Sequence, residues 1–391
     1  MKTFDVVVAG GSIAGLYLGM KLARGGMSVC VIDRKRTIGV PVRCGEATGN
    51  LAELSRFFEP ERSWIALEVE GCALHINDSI CFKKAIPEAG VLLYRDKLEQ
   101  GLAHRAEKFG ATIFLDTIVT GLHENHHGEW DGVAIEPGDI IKGRFIIGAD
   151  GCESRIGQWA GITRPLSLGE VASTLEYHVE SDYCNDGFLH FFMGSSIIAP
   201  GYLWVFPKGE NLLKVGGGLY GCPGNTPKVK YFIDDFIERR MPHARRHSMI
   251  TGCAPVTLSP RSLTKKNVLV VGDAARQLNP LTAGGIMNAF EAADLAADAV
   301  LSCGGDDRKL RAYSRQWAGN QRRQQKVYRL LRDMIVDSSD DEIVALVRRA
   351  SRVFKGDVDR SKPFEVSMTQ AAILAMSMLP KALRHWRALV G

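Results

Sequence analysis

Phe4-Asp5-Val6-Val7-Val8-Ala9-Gly10-Gly11-Ser12-Ile13-Ala14-Gly15, followed by Val29-Cys30-Val31-Ile32-Asp33, decides how the rest of the chain is read. A short apolar run of the kind that forms a buried parallel strand ends in small residues. It passes directly into a helical pattern from Leu16 to Arg24. A second apolar run then stops at Asp33, giving a strand–helix–strand unit. Small residues at Gly10, Gly11, Ala14 and Gly15 let backbone approach a pyrophosphate at a helix N-terminus, and an acid after the second strand accepts hydrogen bonds from a ribose. Ser12 stands where the glycine fingerprint has its second glycine. By itself, an ordinary glycine turn between a strand and a helix would look the same.

At 391 residues the chain is long enough for two or three packed units, and a hydrophobic fraction of 46% with 24% charged residues is globular. The opening residues already spell a strand, so no cleavable leader is expected. The longest apolar stretch, Ala371 to Leu379, stops at Pro380, well short of the roughly 20 residues that span a bilayer. Nine cysteines, at 30, 44, 72, 81, 152, 184, 222, 253 and 303, contain no C-x-x-C pair. That argues against a disulfide framework, a zinc site or an iron–sulfur cluster, and fits a reducing cytoplasm. The net charge of +5 is uneven: from Leu301 onward 18 Lys and Arg face 10 Asp and Glu. Such a segment suits an anionic surface or a solvated helical face, and it lacks any nucleic-acid reading motif.

Gly39 to Glu46 is rich in turn formers and carries Arg43, Cys44 and Gly45 close in sequence to the fingerprint. Arg43 could neutralise a pyrophosphate, while Cys44-Gly45 could set a soft side chain and bare backbone against a planar ring; a small buried cysteine is the bland alternative. Alternation from Trp64 to Lys84 reads as a hairpin of a second, mostly antiparallel domain. Lys97 to Phe109 reads as an amphipathic helix, and His123, His126 and His127 as part of a polar turn matching no metal-ligand motif.

Phe145-Ile146-Ile147-Gly148-Ala149-Asp150-Gly151 is a strand ending in small residues and an acid, and Val268-Leu269-Val270-Val271-Gly272-Asp273-Ala274-Ala275 repeats the design. It continues through Asn279-Pro280-Leu281-Thr282-Ala283-Gly284-Gly285-Ile286 into a helix from Met287 to Leu301. Asp273 ends its strand where a polyol chain could lie, and Gly284-Gly285 opens a helix N-terminus able to stabilise negative charge. Two such elements plus the fingerprint point to a large dinucleotide.

Together, the fingerprint, Gly148-Ala149-Asp150-Gly151 and Gly272-Asp273-Ala274-Ala275 resemble FAD-binding proteins of the p-hydroxybenzoate hydroxylase type. Within that group the chain is most similar to the geranylgeranyl reductase family. The distinguishing residues are Pro41-Val42-Arg43-Cys44-Gly45, Gly201-Tyr202-Leu203-Trp204-Val205-Phe206-Pro207 with Val215-Gly216-Gly217-Gly218, and Asn279 to Ile286. The resemblance covers roughly residues 1 to 300. It implies a cofactor set of Gly10, Gly11, Ser12, Ala14, Gly15, Asp33, Arg34, Arg43, Cys44, Gly45, Arg95, Asp150, Gly272, Asp273, Pro280, Gly284, Gly285 and Ile286. In that set Asp33 would hold the adenosine ribose, Arg43 and Arg95 the phosphates and their surroundings, Asp273 the ribityl chain, and Gly284 and Gly285 the pyrimidine edge. Cys44 and Gly45 would face the isoalloxazine, with Cys44 as the candidate catalytic side chain. Tyr202, Trp204, Phe206 and Pro207 would line the substrate cavity. Independently, period two puts the three aromatics on one strand face, an apolar wall suited to a polyprenyl chain or, alternatively, a face packed into the core.

The expected fold is α/β (α+β overall), with a Rossmann-like FAD-binding domain built from residues 1–60, 88–160 and 255–300. An antiparallel-sheet substrate domain would take 61–87 and 161–254, and helices 301–391. Helices are expected from Arg311 to Val336 and from Asp341 to Val353. The final stretch, Ile373 to Leu389 with Lys381, Arg384, Trp386 and Arg387, suits a helix lying on a membrane surface. The expected activity is hydrogenation of isolated C=C bonds of geranylgeranyl chains, on an archaeal-type ether phospholipid or geranylgeranyl diphosphate, by hydride from reduced flavin N5. Ferredoxin or NAD(P)H would supply the electrons, no metal or nucleic acid is expected, and the protein would be cytoplasmic or peripheral on the inner face of the membrane. A flavin-dependent monooxygenase or halogenase on the same scaffold, or a non-catalytic electron-transfer flavoprotein, is the alternative.

Overall fold

A computed structural model describes residues 2–77, 80–221, 228–304, 306–353 and 381. The chain opens with β1 (Lys2–Ala9), α1 (Ile13–Arg24), β2 (Val29–Ile32), β3 (Ala47–Thr48) and α2 (Leu51–Leu54). Two long strands, β4 (Ile65–Ile76) and β5 (Ile80–Leu93), precede α3 (Arg95–Lys108). Next come β6 (Thr112–Phe114), β7 (Val119–Glu124), β8 (Trp130–Ile135), β9 (Asp139–Gly148) and α4 (Arg155–Trp159). The run β10 (Ala172–Glu180), β11 (Phe188–Gly194), β12 (Ile198–Pro207) and β13 (Leu212–Tyr220) is followed by α5 (Val229–Arg240) and β14 (Arg245–Ala254). Last are β15 (Thr264–Lys265), β16 (Val268–Val270), α6 (Ile286–Ser302), α7 (Arg311–Trp317), α8 (Arg323–Val336) and α9 (Asp340–Val353).

Two compact units emerge. The first takes Met1–Val42, Arg95–Leu166 and Thr257–Gln325. Its sheet runs β15-β16-β9-β1-β2-β6, with β1 parallel to β2 and β9, and the β7–β8 hairpin added antiparallel beside β9. Val6, Val7 and Val8 are wholly buried, which is why β1 reads as an unbroken apolar run: both faces of a parallel sheet are covered. Helix α1 follows at once and its Tyr17 hydroxyl donates to Asp294 of α6 at 2.8 Å, so the two helices share one layer.

The second unit takes Arg43–Tyr94, Ser167–Val256 and the described part of Lys326–Gly391. Its sheet runs β14-β10-β13-β12-β11-β4-β5-β3, antiparallel except that β11 runs parallel to β4. Alternation along β12 divides the two faces. Leu203 and Val205 join the core beneath α5 with Ile233, Phe236 and Ile237, whereas Trp204 and Phe206 join Val69, Leu92 and Leu189 on the opposite face.

Sequence and structure differ in places. Residues 43–60 lie in the second unit rather than with the fingerprint, because β3 pairs with β5, Ala47 opposite Leu92. Residues 301–325 lie in the first unit, fixed there by the Tyr313 hydroxyl donating to the Val270 carbonyl at 2.9 Å and by the Gln325 amide donating to Arg276 and Leu278 carbonyls. His123 belongs to β7 and pairs with Asp131 at 2.6 Å; His126 and His127 alone occupy the turn. The helix expected from Arg311 to Val336 is interrupted by a π-helical turn, Ala318–Arg322. The expected C-terminal helix, Ile373 to Leu389, lies outside the described residues save Lys381. Among the described residues no helix is long and apolar enough to cross a membrane.

Candidate active site

In the first unit, the turn from β1 into α1 is built for close backbone approach. Gly10 has φ +117°, and a Cβ there would lie 2.1 Å from the Ala149 carbonyl oxygen; one at Gly15 would lie 1.9 Å from the Gly10 carbonyl oxygen. Asp33, at the end of β2, is buried and accepts from the Gly11 amide at 2.7 Å and the Lys35 amide at 2.8 Å. Its carboxylate therefore holds the fingerprint turn and keeps acceptor capacity for a ribose. Ser12 donates to Glu99 at 2.6 Å and accepts from the Arg95 guanidinium at 2.8 Å, while Arg95 also donates to Glu99 at 2.9 Å. A hydroxyl in place of the usual second glycine thus anchors the candidate phosphate-binding arginine to the turn. Arg34 is exposed immediately after β2.

The two glycine–aspartate elements play different parts. Asp150 caps α4 by accepting the Ile156 amide at 2.9 Å, and its other carboxylate oxygen is buried with no partner among the described residues. Gly272, at φ +65°, sits where an added Cβ would be 3.1 Å from the Ala14 Cβ, bringing the second element against the start of α1. Asp273 follows on a 3-10 turn; burial raises its carboxyl above the ordinary value and Arg95 only partly offsets this. Pro280 lies in the loop that Asn279 closes by accepting the Leu281 amide at 2.9 Å. Gly285 is the N-cap of α6, whose first-turn amides receive no side-chain cap, and Ile286 begins that helix buried. A tight glycine turn, a ribose-ready acid, an arginine, a desolvated carboxylate and an open helix N-terminus are the parts an FAD demands. The residues fit that group.

In the second unit, β12 carries the aromatic wall. Tyr202 and Trp204 have ring centroids 5.8 Å apart, Trp204 and Phe206 are 6.2 Å apart, and Phe191 of β11 meets Phe206 at 5.3 Å. Pro207 ends the strand, buried. The glycines of β13 make room: a Cβ at Gly216 would lie 2.4 Å from the Trp204 ring. Cys44 and Gly45 belong to this unit, a Cβ at Gly45 falling 3.1 Å from the Phe206 ring, and Arg43 is exposed beside Gly252 of β14.

Beneath this wall is a group of residues that the sequence reading missed. Lys214, wholly buried on β13, reaches Glu176 of β10 at 2.6 Å, Glu46 at 2.9 Å and the Cys44 carbonyl at 2.7 Å. Lys208 pairs with the same Glu46, and the Trp204 indole donates to Glu176 at 3.0 Å. Burial pushes Glu46 up, but Lys214 and Lys208 outweigh it and hold its carboxyl below the usual range; at Glu176 burial wins and the carboxyl is raised. Burial would lower Lys214, yet Glu176 and Glu46 hold it above its ordinary value. His178, close by on β10, is lowered to about 4 by burial and the two lysines. The signal was legible in one place only, a lysine inside the otherwise apolar Leu212-Leu213-Lys214-Val215.

A model of the FAD binding domain matches residues 3–196, one of the geranylgeranyl reductase catalytic domain matches 170–256, and one of lycopene cyclase protein matches 248–388. The chain is 34% identical over 354 residues to a digeranylgeranylglycerophospholipid reductase of Methanothrix thermoacetophila, covering 88% of this chain and 90% of that one. Identity to the Thermoplasma acidophilum protein of that name is 33%, over 76% of this chain and 78% of that one. Among solved structures, a geranylgeranyl bacteriochlorophyll reductase-like protein from Thermoplasma acidophilum superposes with TM-score 0.86 at 28% identity, each chain fully covered. A flavin-dependent brominase shares the fold alone, with TM-score 0.73, 14% identity and coverage of 98% and 100%. The fingerprint turn, the aromatic strand and these relatives converge: the chain belongs to the geranylgeranyl reductase family of FAD-binding proteins.

Proposed function

We propose that the protein is an FAD-dependent reductase that saturates isolated C=C bonds of geranylgeranyl chains, on an archaeal-type ether phospholipid or on geranylgeranyl diphosphate. The observation that carries this reading is the face of β12, where Tyr202, Trp204 and Phe206 form a continuous apolar wall within the stretch matched by the geranylgeranyl reductase catalytic domain model. The first unit is the FAD-holding part, with Asp33, Arg34 and Arg95 toward the adenosine and phosphates. Asp150, Asp273 and the Gly284-Gly285 N-terminus of α6 are assigned to the rest of the cofactor. FAD, when bound and reduced, supplies the hydride that saturation of an alkene needs.

The chain's own residues contribute binding, orientation and exclusion of water. Trp204 and Phe206, 8% and 6% exposed, pack with Val69, Ile86, Leu92 and Leu189, and the partly exposed Tyr202 and Phe191 at the edge of that cluster are the surface assigned to a polyprenyl chain. An isolated alkene is scarcely polar, so holding one double bond in register matters more than acid strength. Cys44 is assigned as the side chain that touches the reacting end of the lipid. Electrons come from ferredoxin or NAD(P)H, and the basic segment from Leu301 onward seats the protein on an anionic membrane surface. The test is to reduce the purified holoprotein with dithionite, add a geranylgeranylated phospholipid, and weigh the lipid by mass spectrometry. Hydrogenated lipid is expected; unchanged lipid from every geranylgeranyl substrate would overturn the reading.

A further inference from the structure

An ammonium has three hydrogens to donate, and those of Lys214 are all accounted for: Glu176 Oε1 at 2.6 Å, Glu46 Oε2 at 2.9 Å and the Cys44 carbonyl at 2.7 Å. Each acceptor leads to a different part of the wall. The other Glu176 oxygen accepts the Trp204 indole N–H at 3.0 Å, fixing the ring that spans Gly216. Glu46 has φ +67°, the left-handed region that is unfavourable for a residue with a Cβ, and in that conformation its amide donates to Cys44 Sγ at 3.2 Å. The Cys44 carbonyl places the turn itself. Between them, a Cβ added at Gly45 would lie 3.1 Å from the Phe206 ring and 3.6 Å from the Trp204 indole nitrogen. Buried ion pairs such as these three, Lys208–Glu46, Lys214–Glu46 and Lys214–Glu176, commonly add little stability over apolar side chains of similar volume, which directs attention to the geometry they impose.

We propose that Lys214 is a positioning residue: through Glu46 and Glu176 it locks the Cys44 thiol and the Trp204 ring into one fixed arrangement. This rests on the reading that the lipid lies along β12 and is touched by Cys44. Without Lys214, Glu46 loses one of its two lysine partners and the Cys44 carbonyl loses its donor, the Glu46 amide leaves Cys44 Sγ, and the turn opens locally. Lys208 still pairs Glu46, so the change is confined to the turn and the Trp204 side of the cluster.

The experiment compares the wild-type holoprotein with K214M and with K214M/E176Q, the latter removing one positive and one negative charge so that no buried charge is stranded. Cys44 alkylation by iodoacetamide is followed by peptide mass mapping in the absence of lipid, and kcat and KM are measured with a geranylgeranylated phospholipid. Alkylation of Cys44 about fivefold faster in the double variant, with kcat down about tenfold and KM within about threefold, is the expected result. A merely structural role would lower the melting temperature while leaving Cys44 alkylation and kcat unchanged, and that outcome overturns the proposal. Failure of both variants and of K214R to fold would assign Lys214 to folding alone and overturn it equally. Because alkylation needs no lipid, faster Cys44 modification supports the positioning role even if the wild type reduces nothing, whereas the reductase reading would then fall by itself.

Discussion

Gly216 lies opposite Trp204 in the β12–β13 register, and its missing side chain is what lets the indole lie flat across β13. A methyl there would sit 2.4 Å from the ring and displace it, together with its bond to Glu176. G216A is therefore expected to raise KM for the lipid about tenfold and to cost about 1–3 kcal/mol of stability, with flavin content unchanged. Kinetics beside the flavin absorbance of the purified protein checks this; a displaced flavin with normal KM would speak against it. Gly10 makes the complementary case. With φ +117° and the Ala149 carbonyl 2.1 Å from any added Cβ, G10A is expected to yield protein stripped of flavin, read from the same absorbance. Both glycines were visible in the sequence, Gly10 as part of a fingerprint and Gly216 as part of a glycine run. The cluster under the wall was not, because Glu46, Glu176 and the hairpin that carries Lys208 and Lys214 come from three separated places whose meeting is fixed by sheet pairing.

At the scale of elements, β4 and β11 carry a polar chain that the site does not use. His75 and His190 approach at 3.0 Å, His190 reaches Asp186 at 2.8 Å, and His75 stacks on Phe192 at 4.1 Å. Burial, reinforced by His190 and Arg240, lowers His75 to about 4 from its ordinary 6.5. A histidine lowered on folding binds fewer protons folded than unfolded between those two values. Its contribution to stability is thus complete above pH 6.5 and lost as the pH falls toward about 4. The melting temperature should drop through that window, and H75Q should show a shallower drop than wild type; parallel curves would contradict this. His178, likewise lowered to about 4, keeps part of the slope in the variant. Elements with a clear period were legible: β1, α1, β2, α3 and the alternation of β12. The π-helical turn at Ala318–Arg322 was not, since a single wide turn inside a helix has no residue signature of its own.

For the molecule as a whole, the sequence revealed the kind of architecture better than its partition. The parallel sheet and the antiparallel sheet each announced themselves by strand pattern. Their boundaries did not, because the chain passes between the two units repeatedly and short pieces such as β3 are assigned by a two-residue pairing no local signal encodes. What the molecule as a whole has to do is pass electrons held on bound FAD into the carbon–carbon bonds of a geranylgeranyl lipid. The most direct measurement is a single anaerobic turnover. The holoprotein is reduced with dithionite, freed of excess reductant, and mixed with geranylgeranylated phospholipid while flavin absorbance and lipid mass are followed together. Yellow colour is expected to return without oxygen, with each flavin reoxidised adding one pair of hydrogen atoms to the lipid. Flavin that stays reduced until oxygen enters, with the lipid unchanged or oxygenated, would contradict it.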